Sequence, residues 1–497
     1  MSDELTQLRS ILAEARDLQA AFAVLDWDEQ TYMPPRGGEA RGDQKATLSR
    51  IAHQRFTSPR VGELLSLLES RDDLGELDRA LVAVTRRDWD REVKVPDALV
   101  EAMARQASRS YRAWIQARDA NDYRIFEPEF AATLALEREW TQAVGYAEHP
   151  YDAFLAGAEP GMSTRRLTEL FGQLRRGLVP MVHAIAERQD RVDTAFLKGQ
   201  FDLERQWELC MQVARVVGFD FDRGRQDRSV HPFTTSFSRD DVRITTRLDP
   251  EDVTAGLFAS IHEAGHGLYE QGIPPELGRS PLGEGASGGM HESQSRLWEN
   301  LVGRSRPFWT FFLPRLQALF PQFQGTGVEA MYRAVNRSVP SFVRMHADEV
   351  TYNLHIMLRV DLELRLITGK LATADLRDAW NERFAADFGI TPPDDLHGVL
   401  QDIHWTSGLG VFPSYTLGNV IAAQLMAAAR REIPDLDRHI ERGELGSLLH
   451  WLRAHVHRFG RSRTPSEILV AATGRDLDAE PYLAYIAAKF GEIYGLG

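Results

Sequence analysis

The sequence predicts a mainly α-helical protein carrying one small β-sheet, and three observations predict it. Apolar residues recur at three- and four-residue spacing through most of the 497 positions. Alternation with period two is confined to residues 218–248, where Phe219, Phe221, Val230, Phe233, Val242, Ile244 and Thr246 alternate with polar neighbours. Prolines such as Pro96 and Pro128 stand near predicted helix starts, where a missing N–H costs little.

In order, residues 4–23 place Leu8, Ile11, Leu12, Ala15, Leu18, Ala21 and Phe22 on one helical face, and a second helix is expected over 40–56. Between them, residues 25–34 are acidic and aromatic, and Trp27 and Tyr32 read as buried rings packing two helices together. Helices follow over 76–95, 96–120, 127–146 and 164–191, with a solvated Arg- and Glu-rich face as the reading of their polar side. Cys210 falls in a helix over 207–217 and is expected to be buried. After the strand region come a helix opened by Asp249-Pro250-Glu251-Asp252 and stopped by Gly272-Ile273-Pro274-Pro275, then helices over 307–320, 328–336, 342–368 and 373–388. Residues 408–415 read as a loop, and the remainder as closing helices.

The chemistry concentrates in Ile261-His262-Glu263-Ala264-Gly265-His266. Histidines four apart lie one turn from each other on a helix face, so both imidazoles reach one metal ion while Glu263 stands beside it. With 15 His and 72 acidic residues, fewer than about 0.07 such matches are expected by chance. A zinc peptidase centre needs a third protein ligand and an open position for water. The downstream candidates are Glu276, Glu284, His291, Glu292 and Glu299. Tyr269 and Gly272 stand where a metzincin places its glycine and third histidine, so the ligand is expected to be a carboxylate. Glu292 opens a helix beginning near Met290, a place where an acid also suits the helix dipole, and Glu299 lies seven residues on along the same face. The residues alone leave both open.

The spacing His262, Glu263, His266 and then His291-Glu292-Ser293-Gln294 resembles the thermostable carboxypeptidase Taq family of zinc metallocarboxypeptidases. Further stretches carry the resemblance along nearly the whole chain: residues 25–34, His231-Pro232-Phe233, Asp241-Val242-Arg243-Ile244-Thr245, Arg344-Met345-His346-Ala347-Asp348 and Gly398-Val399-Leu400-Gln401-Asp402-Ile403-His404-Trp405. Val343 stands where the family usually has Ile or Leu. The resemblance implies that Glu292 is the third ligand, with zinc, or alternatively cobalt, held by His262, His266 and Glu292. It also implies a deep cleft between two helical halves, a homodimer, and broad C-terminal specificity with poor release of proline. The expected organisation is a single catalytic domain over 1–497: a helical half at 1–217, a small sheet at 218–248 and a zinc-binding half at 249–497.

Glu263 is the expected base, taking a proton from water and handing it to the departing amine. His231 and Tyr415 are candidate donors to the oxyanion because both lie in stretches the family places near the metal. The plainer alternatives are a strand-ending histidine and a packed aromatic. A free C-terminal carboxylate calls for an arginine fork. Arg344 is the first candidate, with an ion pair to Asp348 as its structural alternative, and Arg243 is the second. Asp402 and His404 are candidates to support a ligating histidine from behind. An edge strand ahead of the metal helix would hold the extended substrate backbone.

The net charge of −14 argues against nucleic acid or an anionic membrane as partner. One cysteine excludes an intramolecular disulfide and suits a reducing compartment. The start of the chain has no basic segment followed by an apolar core, and no apolar run is long enough to span a bilayer. The expectation is a cytoplasmic enzyme acting on peptides. An endopeptidase or dipeptidyl carboxypeptidase would differ by cleaving amidated peptides. A binding protein retaining the motif for structure alone would have no use for Glu263.

Overall fold

The structure is a computed structural model that describes residues 3–496, so the first two residues of the acidic start and Gly497 lie outside the described residues. Helices dominate, with a single three-stranded sheet among the described residues. The chain forms two compact units that interleave along the sequence. One comprises Met1–Glu92, Asp193–Val335 and Ile421–Leu477; the other comprises Val93–Val192, Asn336–Val420 and Asp478–Gly497. These boundaries differ from the contiguous halves expected at 217 and 249, because long-range packing rather than chain order groups the helices.

In the first unit the opening helix runs Asp3–Thr31 and buries Leu5, Leu8, Leu12, Ala15 and Trp27. It continues through residues 25–31, which the acidic composition suggested lay between helices. Asp26, Asp28, Glu29 and Gln30 fit its outer faces, and Pro34-Pro35 lies just past its end. Trp27 is buried and meets the sheet. Its ring lies 4.2 Å from the Arg243 guanidinium and 5.2 Å from that of Arg225, both on the sheet. Tyr32 is exposed, not buried, and its hydroxyl donates to Asp227 at 2.5 Å.

The sheet comprises β1 (Gly224–Arg228), β2 (Thr234–Ser238) and β3 (Asp241–Thr246), in the order β1-β3-β2. β3 runs parallel to β1 and antiparallel to β2, with Gly224 opposite Val242 and Thr234 opposite Ile244. Phe219 and Phe221 precede β1, and Val230 is 76% exposed in the connection to β2, so the apolar alternation read there was only partly strand. Val242, Ile244 and Thr246 of β3 are buried. The metal helix, Val253–Gly272, packs on β3, on the helix Leu203–Val217 and on the helix Gly288–Arg296. Asp252 caps it, its carboxylate accepting from the Thr254 amide at 2.9 Å. Cys210 is buried, as expected.

In the second unit the helix Tyr352–Ile367 is buried nearly all round. The helix expected over 342–368 is therefore shorter. Residues 344–346 form a 3-10 turn, and the Asp348 carboxylate accepts from the amides of Val350 and Thr351, a local bonding pattern that competes with helix. No helix among the described residues is long and apolar enough to cross a membrane.

Candidate metal centre

The metal helix presents His262 and His266 one turn apart, with ring centroids 5.0 Å from each other. A third group reaches them from Gly288–Arg296 because those two helices approach very closely. Gly265, between the histidines, makes that approach possible: a Cβ there would lie 2.7 Å from the Ser295 Cα and 2.8 Å from the Gln294 carbonyl oxygen. Glu292 is carried inward as a result. Its Oε2 lies 3.3 Å from His266 Nε2 and 3.7 Å from His262 Nε2, and the three donor atoms fall within 4.8 Å of one another. Two imidazole nitrogens and one carboxylate oxygen converging on a point form a donor set suited to a divalent cation such as zinc.

The remaining edge of each ligand is also held. Glu299 Oε2 lies 2.9 Å from His262 Nδ1, Arg296 Nε donates to Glu292 Oε1 at 2.7 Å, and His291 Nδ1 lies 2.6 Å from His266 Nδ1. Glu299 sits in a π-helical turn, Leu297–Gly303, and is also paired with Arg296 at 3.3 Å and Arg304 at 3.1 Å. It therefore stands behind a ligand and is not one itself. Burial opposes ionisation of Glu292, but Arg296 and His262 outweigh it and hold the carboxyl well below its usual range. Burial likewise opposes charge on His262, while Glu292 and Glu299 together leave its pKa raised; burial dominates at His266 and takes it down to about 3.

Glu263 is buried beside the ligands without joining the triangle, and burial raises its pKa. The Thr234 hydroxyl, at the start of β2, lies 2.7 Å from Glu263 Oε2 and 3.0 Å from its carbonyl oxygen. A cavity of about 840 Å³ opens along β2 and is lined also by Arg16, Glu270, Pro274, Arg279 and His291.

Other sequence candidates are placed elsewhere. Glu284 pairs with Arg16 and with Arg461, the latter at 3.1 Å, and Glu276 is exposed, so neither is in the ligand set. His231 is exposed in the connection between β1 and β2, and its carbonyl oxygen accepts from the Ser229 hydroxyl. Arg243 is engaged by Asp241 at 3.0 Å and covered by Trp27 and Phe237. Arg344 and Tyr415 belong to the second unit, with the Arg344 guanidinium 5.6 Å from the Tyr415 ring. Arg344 does not pair with Asp348. Its partner is Asp402, at 2.9 Å, which Arg359 shares at 2.5 Å. Asp402 thus supports two arginines, and the groups behind the ligating histidines are Glu299 and His291 instead. Arg296, Arg304, Thr234 and Glu270 escaped the sequence reading. Two of them had a signal: Arg296 follows Glu292 by four residues, and Glu270 follows His266 by four, the spacing of neighbours on one helix face.

The sequence profile of carboxypeptidase Taq (M32) metallopeptidases matches residues 7–490. Thermostable carboxypeptidase 1 of Thermus thermophilus is 39% identical over 501 aligned positions covering 97% of each chain, and carboxypeptidase 1 of Bacillus subtilis is 37% identical over 477, covering 95% of each. Among solved structures, the M32 carboxypeptidase of Deinococcus radiodurans matches with a TM-score of 0.97 at 40% identity over the whole of both chains. The carboxypeptidase of Pyrococcus furiosus matches at 0.96 and 32% identity over 99% of each.

Proposed function

The chain belongs to the carboxypeptidase Taq (M32) family of metallopeptidases, and from that premise we propose that it removes C-terminal residues from peptides with broad side-chain preference, proline excepted, using zinc or alternatively cobalt at His262, His266 and Glu292. The observation that carries this reading is the ligand triangle with Glu263 buried at its side. Bound zinc supplies Lewis acidity toward the scissile carbonyl and the attacking water. Glu263 takes the proton from that water and passes it to the departing amine, a role suited to a buried carboxylate that stands beside the ligands without joining them. Thr234 holds the carboxylate in one orientation. The edge position of β2 suits it to align the substrate backbone by strand addition along the cavity.

Arg344 is the proposed receptor for the substrate's free carboxylate. In its support, Arg344 and Arg359 share the single carboxylate of Asp402, so two guanidinium charges face one partner and the cluster favours a further anion. Arg243 is the weaker candidate, since Asp241 already occupies its fork. Tyr415, beside Arg344, and His231 are the proposed oxyanion donors. The single catalytic domain over 1–497, the homodimer and the cytoplasmic location extend the same reading; the charge of −14 and the lone buried Cys210 suit the location.

The test is hydrolysis of a blocked dipeptide and of its C-terminal amide by the zinc- or cobalt-loaded protein, beside Glu263→Gln. The expected result is cleavage of the free acid alone, with kcat lowered by about 10² to 10⁴ in the variant. Cleavage of both substrates would replace the carboxypeptidase reading with an endopeptidase. Absence of cleavage by the metal-loaded protein would leave a binding protein.

A further inference from the structure

The two ligating histidines are backed differently. Behind His262 stands Glu299, an ionised carboxylate that can only accept a hydrogen bond, so His262 Nδ1 donates and Nε2 keeps its lone pair for the metal. Behind His266 stands another imidazole, 2.6 Å away between the two Nδ1 atoms. A neutral imidazole carries one donor and one acceptor nitrogen, so by itself His291 is compatible with either direction of that bond. In the wrong direction His266 Nε2 would carry the proton and could not ligate.

A third residue removes the ambiguity. His291 Nε2 lies 2.8 Å from Glu270 Oε1. The carboxylate accepts, so His291 Nε2 holds the ring's proton and His291 Nδ1 is left as the acceptor. His266 Nδ1 must then donate, and its Nε2 lone pair is directed at the point shared with His262 Nε2 and Glu292 Oε2. Ring contacts hold His291 in this orientation, 4.6 Å from the His266 ring and 5.4 Å from that of Tyr269. Gly285 leaves it room, since a Cβ there would come within 2.8 Å of His291 Cδ2.

We propose that Glu270 and His291 are positioning residues of the metal centre, a carboxylate-imidazole relay that fixes His266 in its ligating tautomer, with Glu270 acting only through His291. The inference rests on the reading of His262, His266 and Glu292 as metal ligands and adds to it the outer pair that sets one ligand's direction. Neither residue belongs to the ligand triangle.

The experiment measures the zinc dissociation constant of the full chain by competition with a chromophoric chelator, with thermal unfolding of each metal-free variant as the folding control. His291→Ala and Glu270→Ala, which remove the acceptor at each step, are each expected to weaken zinc binding about 10- to 100-fold, the usual cost of losing an outer partner of a ligating histidine. His291→Asn, whose amide oxygen falls where Nδ1 stood, is expected to retain affinity within about threefold by the same acceptor argument. Combining Glu270→Ala with His291→Asn should then cost nothing further. Affinity unchanged within about twofold in both His291→Ala and Glu270→Ala would overturn the relay, as would an equal cost of Glu270→Ala with and without His291→Asn. If the unaltered chain bound no zinc, or if His266→Ala bound it as tightly, the metal reading itself would fall, a result distinct from failure of the relay alone.

Discussion

At the scale of single residues, the site is defined by what each side chain cannot do. Glu292 is fixed by Arg296 on Oε1 and steadied by the Ser295 hydroxyl, 3.1 Å from Oε2, and Oε2 still faces both imidazoles to complete the ligand triangle. Glu299 is the same residue type seven positions later, yet His262, Arg296 and Arg304 already engage both its oxygens. Choosing between them from sequence required knowing which neighbours each would meet, and helical spacing carries no information about Arg304 reaching back to Glu299. Arg344 poses the same problem in the second unit. Spacing suggested Asp348 as its partner, whereas Asp348 is consumed by backbone amides and Asp402, 58 residues away, takes the guanidinium. Because Arg359 also holds Asp402, removing Arg344 leaves the carboxylate paired, so Arg344→Ala is expected to fold. It should raise KM for peptides with a free C-terminus by about 10- to 100-fold, the worth of a charged hydrogen-bonded pair, with a smaller change in kcat. Steady-state kinetics on blocked dipeptides check this, and unchanged KM would remove Arg344 from the carboxylate-binding role.

At the scale of elements, the metal helix was legible from end to end. Its cap at Asp252, its paired histidines and its Gly-Ile-Pro-Pro stop are local signals, and local signals decide where helices begin and end. The sheet was legible as a region and less so as strands, because Phe219 and Phe221 are apolar for a different reason: before β1 starts, the Phe219 ring packs against Gly224 and Gly267, and Phe221 lies edge-on to it beneath the Arg215 guanidinium. The mistaken span over 342–351 has the same origin, since a helical apolar pattern says nothing about an aspartate turning inward to bond amides. What no local pattern carries is the distance between two helices, and here that distance makes the site. Gly265→Ala inserts a methyl where only 2.7 Å separates it from the Ser295 backbone, and backbone cannot yield as a flexible side chain would. The substitution is expected to cost about 1–3 kcal/mol of stability through overpacking. By pushing Gly288–Arg296 outward it should also weaken zinc binding about tenfold or more, as loss of ligand placement does. Gly38→Ala, at the start of the helix Gly38–Phe56 where nothing lies within 4 Å, is the control and should leave zinc binding unchanged and stability equal or up to about 1 kcal/mol higher. Thermal unfolding and zinc titration of the two variants decide the matter.

At the scale of the whole molecule, two compact units are each assembled from three separate chain segments, and that interleaving was invisible to a reading in chain order. An acid pair in the second unit is expected to make stability depend on pH. Glu363 lies fully buried on the helix Tyr352–Ile367, its carboxyl bonded by the Tyr151 hydroxyl at 2.5 Å, the Trp405 indole at 2.8 Å and the Gly410 amide at 3.2 Å. Glu137 is buried close enough for mutual repulsion and abuts Gly408, where even a Cβ would collide with its Oε1. Burial is the main cause that pushes Glu137 up to about 8, with the Glu363 charge adding to it, and burial likewise pushes Glu363 to about 7 against the help of its three donors. The unfolded chain gives up both protons near the ordinary value of 4.5, while the folded unit keeps them until about 7 and 8. Across that window the unfolded state binds fewer protons, so stability is full below about pH 4.5 for this pair and declines as pH rises through 8. The decline should be on the order of a few kcal/mol between pH 5 and pH 8.5. Glu137→Gln keeps the shape, removes one ionisation and relieves the other, so it should flatten that slope and raise stability most at alkaline pH. Urea midpoints at pH 5.5 and 8.5 for the two proteins measure it. Equal slopes would mean that the acid pair does not govern the pH dependence.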